Sequence, residues 1–216
     1  MQVIAFDWDG TLLDSTANIA TSVQAAFADL DLPVPSDQAA RHIIGLGLQE
    51  AMAYLWPQGQ PHDYQALVAR YRHHYLSRDH ELALFAGVPE GLARLCEAGF
   101  TLSIATGKSR VGLERALTHS DLRQWFSYSR CADETFSKPH PAMLEQTMDY
   151  FGVTAAHMVM VGDTTHDIQM AHNAKMASVA VNYGAHPQAQ LLACKPSVLC
   201  ENFPAVIDWL CQVWAK

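Results

Sequence analysis

The chain has 216 residues, half of them apolar, enough for one sizeable domain or for one domain carrying a smaller insert. Against 14 Lys and Arg stand 22 Asp and Glu, and the net charge of −8 argues against broad binding of nucleic acid or of anionic membranes. The five cysteines are odd in number and form no Cys-x-x-Cys pair, so reduced thiols in a cytoplasmic protein are expected. The start of the chain lacks the basic segment and apolar run of a signal peptide, and no apolar run approaches the roughly 18 residues of a membrane span.

Val3 to Phe6 is an apolar run that reads as a fully buried strand, and it ends where Asp7-Trp8-Asp9-Gly10 must begin a turn. From residue 15 to 84 no buried strand is legible. Ser15 to Leu30 carries helical spacing in Ile19, Val23, Ala26, Phe27 and Leu30. Gln38 to Ile44 and Gln49 to Leu55 read as short helices around Gly45-Leu46-Gly47, and Asp63 to Ser77 as a longer one. Gly87-Val88-Pro89 marks a change of rhythm. A helix over Val88 to Ala98 should stop at Gly99, and the strand Thr101 to Ala105 then runs into Thr106-Gly107. A helix over Ala142 to Phe151 should stop at Gly152. It precedes a strand from Met158 to Val161, which ends at Gly162-Asp163. Ala177 to Val181 repeats the strand pattern and stops near Asn182. Strands alternating with helices predict an α/β fold with a parallel, Rossmann-like sheet. Its core would be residues 1–14 and 85–216, with an all-helical domain, 15–84, inserted after the first strand.

Ligands of open α/β sheets bind beyond the carboxyl ends of the strands, so the polar residues that end these strands should converge. They are Asp7 and Asp9, Thr106, and Asp163. Residues i and i+2 of extended backbone face the same way, which would bring Asp7 and Asp9 together and call for a cation between them or for one of them to stay protonated. A hard divalent ion such as Mg2+ suits such oxygen ligands. Asp163 adds a third carboxylate. Asp167 follows one helical turn later, placed to bind the ion directly or through water. Lys138, before Pro139, supplies a cation to a site that otherwise carries only acidic groups, and Thr106-Gly107 at a helix start offers a hydroxyl and backbone N–H groups to an anion. Of the 11 histidines, His166 lies nearest this cluster in sequence and is expected to line it rather than to ligate, because hard ions prefer oxygen.

Taken in order, Asp7-Trp8-Asp9-Gly10-Thr11, Thr106-Gly107, Lys138-Pro139 and Gly162-Asp163 with Asp167 resemble the four motifs of the haloacid dehalogenase superfamily, over nearly the whole chain. The helical insert resembles the cap of the phosphoglycolate phosphatase-like branch, and Arg41 to Gly47 its cap loop, so Arg41 and Gly45 are expected to contact substrate. The resemblance implies an aspartyl-phosphate on Asp7 and Asp9 as acid and base. It implies magnesium held by the Asp7 carboxylate, the Asp9 backbone carbonyl and Asp163, supported by Asp167. Thr106, Gly107 and Lys138 would hold the phosphoryl oxygens. The family often has Ala-Gly after the fourth-motif helix, where this chain has Ala174-Lys175.

Within that superfamily, dehalogenases lack the second aspartate, and Asp9 is present. Phosphonatases need a cap lysine, and the first lysine here is Lys108. The expected activity is hydrolysis of a small phosphorylated metabolite by a monomeric enzyme, with a sugar-phosphate mutase and a non-catalytic binding module as the alternatives.

Overall fold

A computed structural model describes residues 1–214. Six parallel strands form one sheet in the order β3-β2-β1-β4-β5-β6. They are β1 (Val3–Phe6), β2 (Thr101–Thr106), β3 (Tyr128–Cys131), β4 (Met158–Gly162), β5 (Ala177–Val181) and β6 (Val198–Cys200). The four apolar runs of the sequence are the four inner strands. β3 and β6 have no counterpart in the sequence reading, and both lie at sheet edges. An edge strand is covered less, so Tyr-Ser-Arg-Cys and the three-residue Val-Leu-Cys need not be apolar throughout.

Helices α1 (Thr16–Asp29), α2 (Asp37–His42), α3 (Leu48–Leu55) and α4 (Pro61–Arg78) lie between β1 and the rest of the sheet. After them come α5 (Val88–Glu97), α6 (Arg110–Ser120), α7 (Ala142–Phe151), α8 (Thr165–Asn173), α9 (Gln188–Ala193) and α10 (Phe203–Trp209). Strand side chains alternate between faces. Ile4, Phe6, Ile104 and Val159 accordingly join one core with α5, α6 and α10. Val3, Ala5, Met158 and Met160 join another with α7 and α8. Each large buried apolar side chain among them contributes about 1.5–3 kcal/mol of transfer free energy, and the polar residues within the inner strands, Ser103 and Ser178, are small and buried.

The helical segment has its own core, built from Ile19, Val23 and Phe27 of α1, Ile43, Ile44, Met52, and Leu67 and Tyr71 of α4. Its two connections to the sheet run side by side. Asp14 N–H donates to Ala83 O at 2.9 Å, and Phe85 N–H donates to Leu12 O at 3.0 Å. None of the described helices is long and apolar enough to cross a membrane.

Gly99 and Gly152, read as helix stops, adopt left-handed φ angles of 86° and 65°. The corresponding position after α8 is Lys175, at φ 59°. The helix stops there in the left-handed region without glycine, at a cost that an L side chain bears and glycine does not.

Candidate active site

The strand ends meet as the topology requires. Asp7 follows β1, Thr106 ends β2 and Asp163 follows β4, all on the carboxyl edge of the sheet. Asp7, Asp163, Asp167 and Lys138 are buried, with 0–2% of each residue exposed. Burial of this depth is costly for charges unless they are matched.

Oxygens of Asp7, Asp163 and Asp167 lie within 4.8 Å of one another. Lys138 Nζ stands 2.8 Å from Asp7 Oδ1 and donates to Asp167 Oδ1 at 2.6 Å. The other Asp167 oxygen accepts from the Thr164 hydroxyl at 2.6 Å and from its N–H at 3.0 Å, closing a capping box at the start of α8. Asp163 accepts from the Thr11 hydroxyl at 2.9 Å and from Ala185 N–H at 2.7 Å. Asp7 differs from both. Lys138 is near but out of line, and neither Asp7 oxygen has an aligned donor. Three buried carboxylates share one ammonium, and Asp7 Oδ2 has no partner at all, which fits a divalent cation ligated by oxygen. Glycines keep the space tight: a Cβ on Gly10 or Gly184 would collide with the Asp163 carboxylate, and one on Gly162 with Asp167.

Burial raises the Asp7 pKa to about 7, opposed by Lys138 and reinforced by Asp167 and Asp9. Burial likewise pushes Asp163 well above the ordinary carboxylate value, with Asp7 and Asp167 adding to it. For Lys138, burial disfavours the charge, but Asp167 and Asp7 outweigh it and hold the ammonium above the ordinary lysine value.

Asp9 is separated from this cluster. The chain already turns at Trp8, whose carbonyl accepts from the N–H groups of Leu12 and Leu13, so the same-face rule for extended backbone does not apply. The Asp9 carboxylate instead receives Lys108 Nζ at 3.0 and 2.9 Å and the Ser15 hydroxyl at 2.7 Å. Its side chain is therefore no part of the three-carboxylate group, and the expectation that the Asp7 and Asp9 carboxylates come together around one cation is corrected. So is the expectation of a single basic residue, because Lys108, half-buried, is a second cation. Lys108 Nζ also donates to the Tyr75 hydroxyl of α4 at 3.1 Å. Lys108 follows directly on Thr106-Gly107, which was the available signal. Nothing in the sequence of α4 marked Tyr75 beyond its apolar helix face.

The helical segment closes over these residues. A Cβ on Gly107 would stand 2.5 Å from the carbonyl oxygens of both Gly45 and Leu46. Gly47 N–H donates to Ser137 Oγ at 2.7 Å. Asp7, Asp9, Gly45, Gly107 and Lys108 line one cavity of about 660 Å3 between insert and sheet. Thr106 is buried at the β2 end, its hydroxyl accepting from Lys108 N–H at 3.2 Å. Arg41 lies elsewhere. It pairs with Asp37 at 2.9 Å, reaches the Thr16 hydroxyl at 3.3 Å and lines a second cavity rather than the one that Asp7 borders. His166 does not line the large cavity either. Its Nε2 bonds His42 O at 2.8 Å, as does His186 Nε2 at 3.0 Å, and burial lowers the pKa of both imidazoles, that of His186 to about 4.

A sequence profile described as haloacid dehalogenase-like hydrolase matches residues 4–181. Among curated relatives, “Probable phosphatase IndB” of Dickeya dadantii is 35% identical over 95% of this chain and 91% of its own length. A phosphoglycolate phosphatase of Aliivibrio fischeri is 33% identical over 94% of this chain and 93% of its own. A crystal structure described as a predicted phosphoglycolate phosphatase from Haemophilus somnus superposes with a TM-score of 0.83 at 26% identity, covering 96% of this chain and 97% of that one.

Proposed function

Because the chain belongs to the haloacid dehalogenase-like hydrolases, we propose that it is a magnesium-dependent phosphatase that cleaves a phosphorylated metabolite through an aspartyl-phosphate on Asp7. The observation that carries this reading is the Asp7 carboxylate, buried on the cavity floor with Oδ1 beside the Lys138 ammonium and Oδ2 without a partner. A structural aspartate at that depth would be hydrogen-bonded; a nucleophile must keep a lone pair free.

Asp7 attacks phosphorus, and the bond from phosphorus to the alcohol oxygen breaks. Asp9 gives that oxygen a proton and later takes one from the water that attacks the aspartyl-phosphate, releasing inorganic phosphate and free Asp7. Lys108 and Ser15 hold the Asp9 carboxylate in place for both transfers. Lys138, the Thr106 hydroxyl and the Gly107 N–H are assigned to the phosphoryl oxygens, where negative charge builds. Magnesium would be held by Asp7, Asp163 and the Asp9 backbone carbonyl, with Asp167 fixing Lys138 beside them, and when bound it supplies positive charge to the phosphoryl oxygens. Residues 15–84 act as a cap. The contacts of Gly45, Leu46 and Tyr75 with the catalytic loops support this, since each ties closure to the reacting groups.

The test is hydrolysis of p-nitrophenyl phosphate by the purified protein, with magnesium and with excess chelator. Turnover should require the metal and vanish in Asp7→Asn, while that variant keeps the wild-type circular dichroism spectrum. Substantial turnover by Asp7→Asn would remove the nucleophile assignment.

A further inference from the structure

The cavity above Asp7 is larger and more apolar than a two-carbon acid requires. Phosphoglycolate has roughly nine non-hydrogen atoms. Even at water's share of liquid volume, about 30 Å3 each, they would fill less than half of the 660 Å3 available. The walls are Ile19 and Val23 of α1, Ile43 and Leu46 of the loop after α2, and Leu82 and Leu84 of the returning connection. At the mouth, Leu76 and Val111 are 40% and 78% exposed and line the same cavity. Large apolar side chains left in solvent around a concave site mark a surface that a ligand covers.

The charges point the same way. Four carboxylates, from Asp7, Asp9, Asp79 and Asp133, face three fixed cations, Arg72, Lys108 and Arg115. Lys108 is engaged by Asp9 at 2.9 Å and Arg115 by Asp79 at 3.0 Å. A carboxylate on the leaving group would be desolvated against these apolar walls with two of the three cations already paired. An uncharged apolar body meets no such opposition and removes apolar surface from water.

We propose that the leaving group is a bulky, uncharged and largely apolar alcohol, of the aryl class, rather than a small hydroxy acid. The inference rests on the phosphatase reading for the reaction itself, but its binding component does not need turnover.

The test compares 1-naphthyl phosphate with phosphoglycolate and with nucleoside 5′-monophosphates at saturating magnesium. The naphthyl ester should lead in kcat/KM by about tenfold or more, since the apolar contacts act in the transition state as well as the ground state. Val111→Asp and Leu76→Asp, at exposed positions that cannot unfold the core, should each lower the naphthyl-to-phosphoglycolate ratio about fivefold. Preference for phosphoglycolate or for a nucleotide overturns the proposal, as does a ratio that neither variant moves. If no ester is hydrolysed, the phosphatase reading fails, and calorimetric binding to Asp7→Asn decides the leaving group separately. Tighter binding of 1-naphthyl phosphate than of phosphoglycolate sustains it, and the reverse refutes it.

Discussion

Gly107→Ala isolates cap closure from the chemistry. The added Cβ would stand 2.5 Å from two carbonyl oxygens, Gly45 O and Leu46 O, where ordinary contact begins at 3.4 Å, a shortfall of about 0.9 Å. Both obstacles are backbone, so no side chain can rotate aside, and the cap loop must lift as a body. Lifting it by that amount would stretch the 2.7 Å bond from Gly47 N–H to Ser137 Oγ to about 3.6 Å, beyond hydrogen-bonding range. Overpacking plus one lost bond costs the closed form about 2–3 kcal/mol, and at 1.4 kcal/mol per decade kcat/KM should fall about 30- to 150-fold. The φ of Gly107 lies outside the left-handed region, so the loop itself accepts alanine. The melting temperature should therefore move by only a few degrees. Steady-state kinetics on p-nitrophenyl phosphate and a thermal melt together check this. Wild-type kcat/KM in Gly107→Ala would refute the closure argument, and so would a loss of activity that merely tracks unfolding.

Lys108→Met should destabilise the protein by about 3 kcal/mol, because it strips a buried carboxylate of its cation, and the double variant with Asp9→Asn should recover most of that in chemical denaturation. Lys175→Gly should stabilise by about 0.5–1 kcal/mol, since relief of a left-handed L residue exceeds glycine's extra unfolded-state entropy; an unchanged denaturation midpoint would contradict the strain read at φ 59°. The metal-free protein should lose stability as pH rises. Burial lifts Asp7 from its ordinary 3.8 to about 7, so the stabilising contribution is complete below 3.8 and is lost as pH climbs through 7. Melts in chelator between pH 5 and 8 should show this slope, Asp7→Asn should flatten it, and magnesium should oppose it by favouring the ionised carboxylate.

The sequence by itself determined the inner sheet. Val3 to Phe6, Leu102 to Ala105, Met158 to Val161 and Ser178 to Val181 are buried on both faces, and apolar runs interrupted only by Ser103 and Ser178 are the direct trace of that burial. Because parallel strands end at one edge, the same runs also placed Asp7, Thr106 and Asp163 together. Edge strands leave no such trace, and β3 and β6 were decided by pairing with neighbours distant in sequence. Partner choice among charges was likewise decided only in three dimensions. Two residues apart on the chain, Asp7 and Asp9 go to different lysines, because the turn at Trp8 rotates one carboxylate away from the other. Arg41 is drawn to Asp37, one helical turn before it, rather than to the site its loop borders. Side chains that close the site from above, Tyr75 foremost, sit on a helix whose periodicity reports an apolar face but not what that face covers. Local pattern fixes which residues are buried; which buried charges meet depends on turns and on docking between segments, and those are set by the whole fold.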